Sequence, residues 1–151
     1  MPEIYRTPSI EVEPEDQGVI VVHCVDPRYQ PHFQDFMHKH LELEHYALLA
    51  VPGGAHCLTL AEYLPKFSWA TWRWMKFTVD LMNCHRLILI GHEDCRWYLV
   101  QGFVHDEKQL RERVVRDLQR VRAAMQERFP KMRVETYFAR LEGTRASFDS
   151  V

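Results

Sequence analysis

VIVVHCV, residues 19–25, is a β-branched run that reads as a strand buried on both faces. RLILIG (86–91) has the same character, and YALLAV (46–51), stopped by Pro52-Gly53-Gly54, reads as a further buried strand between them. The intervals have a helical period. Phe33, Phe36, Met37, His40 and Leu41 recur at helical spacing in HFQDFMHKHLEL, and Trp69, Trp72, Lys76 and Val79 mark one side of a helix within 67–83. A short helix is expected from Asp94–Cys95. A long one follows over 107–129, with Leu110, Val114, Leu118, Val121 and Met125 as its buried stripe and Pro130 as its stop. MRVETYFARL (132–141) alternates as a fourth strand. Strands alternating with helices predict an α/β fold: a small parallel sheet with right-handed crossovers and helices on both faces.

In such sheets, sites form beyond the carboxyl ends of the strands where strand order reverses. Here those ends read HCVDPR (23–28) and GHEDC (91–95). Zinc takes thiolate sulfur and imidazole nitrogen in tetrahedral geometry, and His92-x-x-Cys95 is tight enough to reach one ion from a single turn. Cys24 offers a third ligand, and a thiolate at Cys95 is favoured by the helix start beside it. Three ligands of this type leave a fourth position open, as catalytic zinc requires. Spacing alone fits two buried cysteines and an unrelated histidine equally well. If one ion joins the two ends, the first and third strands are neighbours and the order is 2-1-3-4, with or without an extra edge strand.

Asp26 and Arg28 lie two and four residues beyond Cys24, on the same side of an extended segment. An aspartate held by an arginine stays ionised and can accept a hydrogen bond from a metal-bound water; alternatively, Asp26 becomes the fourth ligand and closes the site. The interval from Cys24 to Arg28 is too short for a phosphate-cradling loop and contains Pro27, which has no N–H. The other candidates read as structural. His56-Cys57 has a local role, Cys84 is core, and His38, His40 and His45 lie on a mostly solvated face. His23 points away from Cys24. Trp69, Trp72 and Trp74 are core or dimer interface.

At 151 residues, 46% apolar and 26% charged, the chain fits one globular domain. Residues 1–17, with three prolines and a run of acids, read as an extended arm before a single domain over 18–151. Nineteen basic residues against 21 acidic ones imply no nucleic-acid partner, and the basic residues of 111–145 alternate with acids as on a solvated helix face. No stretch approaches a membrane helix, and the N-terminus lacks an apolar signal core, so a cytoplasmic protein with reduced cysteines is expected.

Together, C-x-D-x-R after the first strand and H-x-x-C after the third resemble the signature of the β-class carbonic anhydrases. FTVDLMNCHRLILIGHEDC (77–95) is similar to that family's helix, strand and ligand turn, and VETYFARLEGT (134–144) to its last strand and the segment after it. The resemblance covers roughly 18–140. It implies Zn2+ bound by Cys24, His92 and Cys95. It also implies an Asp26 that orients or displaces a zinc-bound hydroxide, an Arg28 that holds Asp26, and reversible hydration of carbon dioxide to bicarbonate in a homodimer or dimer of dimers. Carbonyl sulfide or carbon disulfide is the alternative substrate, and a non-catalytic zinc-binding protein the alternative class. The sequence departs from the family at Val51-Pro52-Gly53-Gly54, where R-N-A-G is usual, and at Arg96-Trp97, where a glycine pair is usual.

Overall fold

Val19–His23 (β1) is buried along its whole length because it has a parallel neighbour on each side: β2 (Ala47–Ala50) and β3 (Arg86–His92). In the computed structural model, which describes residues 3–12 and 18–151, β4 (Arg133–Glu142) runs parallel to β3. A two-residue turn, with Gly143 at φ 64°, then reverses the chain into β5 (Arg145–Ser150), antiparallel to β4. The order β2-β1-β3-β4-β5 is the expected 2-1-3-4 with an extra edge strand.

The pleat sends alternate residues of β1 and β3 into two cores. Ile20, Val22, Leu87 and Leu89 face α2 (Pro65–Met82) and α4 (Glu107–Arg128). Val19, Val21, Ile88 and Ile90 face Phe33 of α1 (Gln30–Asp35) and Phe36 and Met37 of the π-helical turn that continues it (Phe36–His40). Helices therefore cover both faces. The helix expected over 32–43 begins earlier, with Pro31 in its first turn, and is left by way of Glu42 at φ 54°.

α4 carries the expected stripe, all five residues buried, and starts where Asp106 Oδ1 accepts the Gln109 N–H at 2.9 Å. It lies directly on the end of β3: a Cβ at Gly91 would sit 2.3 Å from Val114 Cγ1. The site's last strand residue is thus seated against the longest helix.

One expectation needs correction. β2 is not a buried strand: it pairs with β1 alone, and Leu48 is 52% exposed. α2 leaves Trp69 and Lys76 exposed. The buried line is Ser68, Thr71, Met75 and Val79, with Trp72 half-buried at its margin, where its Nε1–H donates to the Leu58 carbonyl at 2.9 Å. α2 is apolar on two sides, and the side with small residues at 68 and 71 turns inward. Phe67, Trp74, Phe77 and Leu81 are left facing outward.

Residues 3–12 form neither helix nor strand; residues 1–2 and 13–17 of the expected arm lie outside the described residues.

Candidate metal centre

Cys24 is the first residue past β1, and His92 the last of β3, so their positions follow from the parallel register that sets His23 opposite Ile90. From His92 the chain must turn back sharply. Asp94, at φ 47°, makes that turn and delivers Cys95 at the start of α3 (Arg96–Val100). The turn is anchored to β4 at two points: the Glu93 N–H donates to Ala139 O at 3.0 Å, and Glu93 Oε1 accepts the Leu141 N–H at 2.6 Å.

The ligating atoms of Cys24, His92 and Cys95 lie within 4.8 Å of one another, and all three residues are buried. His92 Nδ1–H donates to the Glu93 carbonyl at 2.6 Å, which fixes the tautomer and leaves Nε2 as a bare acceptor. That Nε2 is buried with no hydrogen-bond partner. A buried lone pair facing two thiols is a donor set that suits a cation. The two sulfurs are 4.0 Å apart, close to the about 3.8 Å that two ligands of a tetrahedral zinc would span. The hydrogen bond between them lowers the Cys24 thiol, aided by His92 and opposed by burial, and raises Cys95, which burial raises further. The pair therefore gives up its first proton readily and holds the second. A bound cation would remove that resistance. The residues present fit zinc.

Asp26 is not in this group; Arg28 holds it instead. Arg28 donates from Nε to Oδ1 at 3.1 Å and from Nη2 to Oδ2 at 2.7 Å, a bidentate fork, and its backbone N–H donates to Oδ1 at 3.0 Å. The remaining amino group, Nη1, donates to Asp94 Oδ2 at 2.6 Å. These bonds hold the Asp26 carboxyl below the usual carboxylate range and raise Arg28 above its ordinary value. Both ends of the guanidinium are therefore occupied by carboxylates, Asp26 on one side and Asp94 on the other.

Sequence reasoning missed several residues here. Asp94 stands within H-x-x-C as an unmarked spacer, and only the left-handed turn aims it at Arg28. Tyr29 and Gln30 directly follow the C-x-D-x-R motif. The Tyr29 ring packs 4.3 Å from that of His92, and Gln30 Nε2 donates to the Cys24 carbonyl at 2.9 Å. The residues taken as structural are placed as follows. His23 packs on Phe33, on the side away from Cys24, and Cys84 is half-buried at the edge of the core. His40 stacks on Phe36, and buried His56 meets the site indirectly, through Trp97.

A cavity of about 590 Å³ opens over Cys24, Asp26 and Arg28. Its remaining wall comes from the segments that depart from the resembled family: Pro52 on one side, Arg96 and Trp97 on the other, with Val25 and Val100 adding apolar surface. A larger groove of about 720 Å³, between α2 and the end of α4, has no thiol, imidazole or carboxylate in its lining, so the chemistry belongs to the smaller cavity.

A mostly parallel sheet of this order, with this cluster at the ends of β1 and β3, has the fold of the β-class carbonic anhydrases. The chain is similar to the carbonic anhydrase from Glaciozyma antarctica, with a TM-score of 0.54 and 17% identity over 88% of this chain and 82% of that one. It is also similar to the carbonic anhydrase from Streptococcus mutans, with a TM-score of 0.52 and 14% identity over 95% of this chain and 87% of that one. No protein-family model matches the sequence, and no curated protein does.

Proposed function

We propose that this chain binds zinc through Cys24, His92 and Cys95 and catalyses the reversible hydration of carbon dioxide. The observation that carries this reading is the buried, unpartnered Nε2 of His92 beside two thiols, with an ionised, arginine-held aspartate lining the same cavity. Zinc, when bound, supplies a Lewis acid that brings the pKa of a coordinated water toward neutrality.

The chain's own residues do the rest. Asp26 Oδ1 already accepts two N–H groups of Arg28, but Oδ2 accepts only one, so its free lone pair can accept a hydrogen bond from a water at the site and orient it. Arg28, anchored by Asp94, keeps that carboxylate ionised and out of the ligand set, so the fourth position stays open. Val25, Pro52, Trp97 and Val100 line the approach, which favours a small uncharged substrate. For the same reason carbonyl sulfide and carbon disulfide are the second reading.

Metal analysis with stopped-flow hydration tests this. The purified protein is expected to carry close to one zinc per chain and to hydrate carbon dioxide above background. Cys24→Ser, Cys95→Ser and His92→Ala should each lose most of the metal. Full zinc content with no turnover of any of the three substrates between pH 6 and 9 would sink the enzyme and leave a zinc-binding protein without catalysis.

A further inference from the structure

Trp97 stands where the resembled family has a glycine, and a chain of buried polar contacts holds it there. Its indole Nε1–H donates to Nδ1 of His56 at 2.9 Å. His56 can accept only as a neutral ring with its proton on Nε2, and that nitrogen lies 3.6 Å from Asp117 Oδ2, near the carboxylate but beyond hydrogen-bond distance. The carboxylate is fixed in turn, accepting from Tyr98 OH at 3.1 Å and from Arg113 Nε at 3.0 Å. The His56 side chain is fully buried, stacked on Tyr98 with ring centroids 4.3 Å apart and set edge-on to Phe103 at 4.5 Å. Burial, reinforced by the Arg113 charge, lowers its pKa to about 4, so the ring stays neutral at ordinary pH and remains an acceptor.

Sterics reinforce the arrangement. The edge of the indole lies against Gly53, where an added Cβ would meet Trp97 Cδ1 at 2.3 Å. The two departures from the family pattern are therefore one feature: glycine at 53 makes the room that tryptophan at 97 occupies.

We propose that Trp97 is the specificity-determining wall of the cavity over Cys24, and that His56, backed by Asp117, is the positioning residue that holds the indole in that wall. Hydrogen-bonded through Nε1 and packed against Gly53 at the adjoining Cδ1, the indole cannot rotate aside to admit a wider molecule. The class admitted is small, linear and uncharged; an aryl ester, which a metal-activated water could attack in an open cleft, is excluded. The inference rests on the proposed function for the identity of the substrate, whereas the wall itself depends on neither metal nor turnover.

Its test uses the metal-free, reduced protein, with the Cys24 thiol as the probe of access. Alkylation of Cys24 by iodoacetamide and by the wider N-phenylmaleimide is followed by mass spectrometry, and each rate is divided by that of the same reagent with free glutathione. In the wild type the wider reagent should be disfavoured by about tenfold or more, the scale on which a close-fitting pocket discriminates size. Trp97→Ala should abolish that preference. His56→Leu should weaken it, and His56→Asn, whose side-chain oxygen can take the place of Nδ1, should restore it. The indole N–H of Trp97, followed by proton–deuterium exchange in NMR spectra, should be protected in the wild type and in His56→Asn and unprotected in His56→Leu. Absence of size preference in the wild type, a preference unchanged in Trp97→Ala, or an unprotected wild-type indole would each overturn the proposal. If His56→Leu fails to fold, Trp97→Ala and the wild-type indole still decide it. Loss of carbon dioxide turnover alone would bear on the proposed function and not on this wall.

Discussion

Arg28 joins two carboxylates through one planar group, taking both oxygens of Asp26 and one of Asp94. A lysine keeps the charge but lacks the fork, so it cannot serve both partners at once. Arg28→Lys is expected to retain zinc and to lower carbon dioxide hydration by roughly tenfold to a hundredfold, measured by stopped flow. The sign of the pH effect follows from the direction of the shift. Arg28 holds Asp26 below its ordinary value; weakening that hold raises its pKa, so the acidic limb of the rate profile should move to higher pH in the variant. An unmoved limb would remove Asp26 from the mechanism. At this scale the sequence was legible where chemistry needs particular atoms. Cys24, His92 and Cys95 could be picked out because C-x-D-x-R and H-x-x-C occur together at the ends of two strands, where either motif alone would not have decided it. Asp94, Tyr29 and Gln30 were not, because their parts depend on a backbone turn and on ring packing that no residue type announces.

Gly91 is where two elements come close enough to constrain the site, since α4 rests on the strand end that presents His92. Gly91→Ala must push Val114 and Leu118 away or displace the strand end. A loss of about 1–3 kcal/mol is expected in chemical denaturation, together with weaker zinc retention during dialysis. A variant as stable as the wild type would mean that α4 does not seat the strand. Elements with a single strong pattern were readable in advance. β1 and β3, and the stripe of α4 from Leu110 to Met125, lie as their periodicity implied. The inward side of α2 was not legible, because the helix is apolar on two sides and the small residues Ser68 and Thr71 take the inward one. β2 misled for another reason: an apolar run does not say whether its strand has one neighbour or two.

For the molecule as a whole, the outward side of α2 is an apolar surface that the fold leaves uncovered. Phe67, Trp74, Phe77 and Leu81 are between 53% and 70% exposed on one helix, a concentration of apolar area that a solitary chain rarely leaves in water. We infer that a second copy covers it. Light scattering at micromolar concentration should give a dimer or a multiple of one, and Phe77→Glu with Leu81→Glu should give a folded monomer; a wild-type monomer of 18.0 kDa would refute this. No helix among the described residues is long and apolar enough to cross a membrane. The strand order has one more effect. Cys24 and Cys95 are 71 positions apart along the chain, yet their sulfurs are neighbours. An ion gripping both would act as a clip across nearly half the polypeptide, restricting the unfolded chain by an amount that loop-closure entropy puts at about 4 kcal/mol. Stripping it with a chelator should speed unfolding in denaturant, followed by circular dichroism, and equal rates with and without chelator would argue against the clip. Zinc supply would then govern how long each molecule survives as well as whether it turns over.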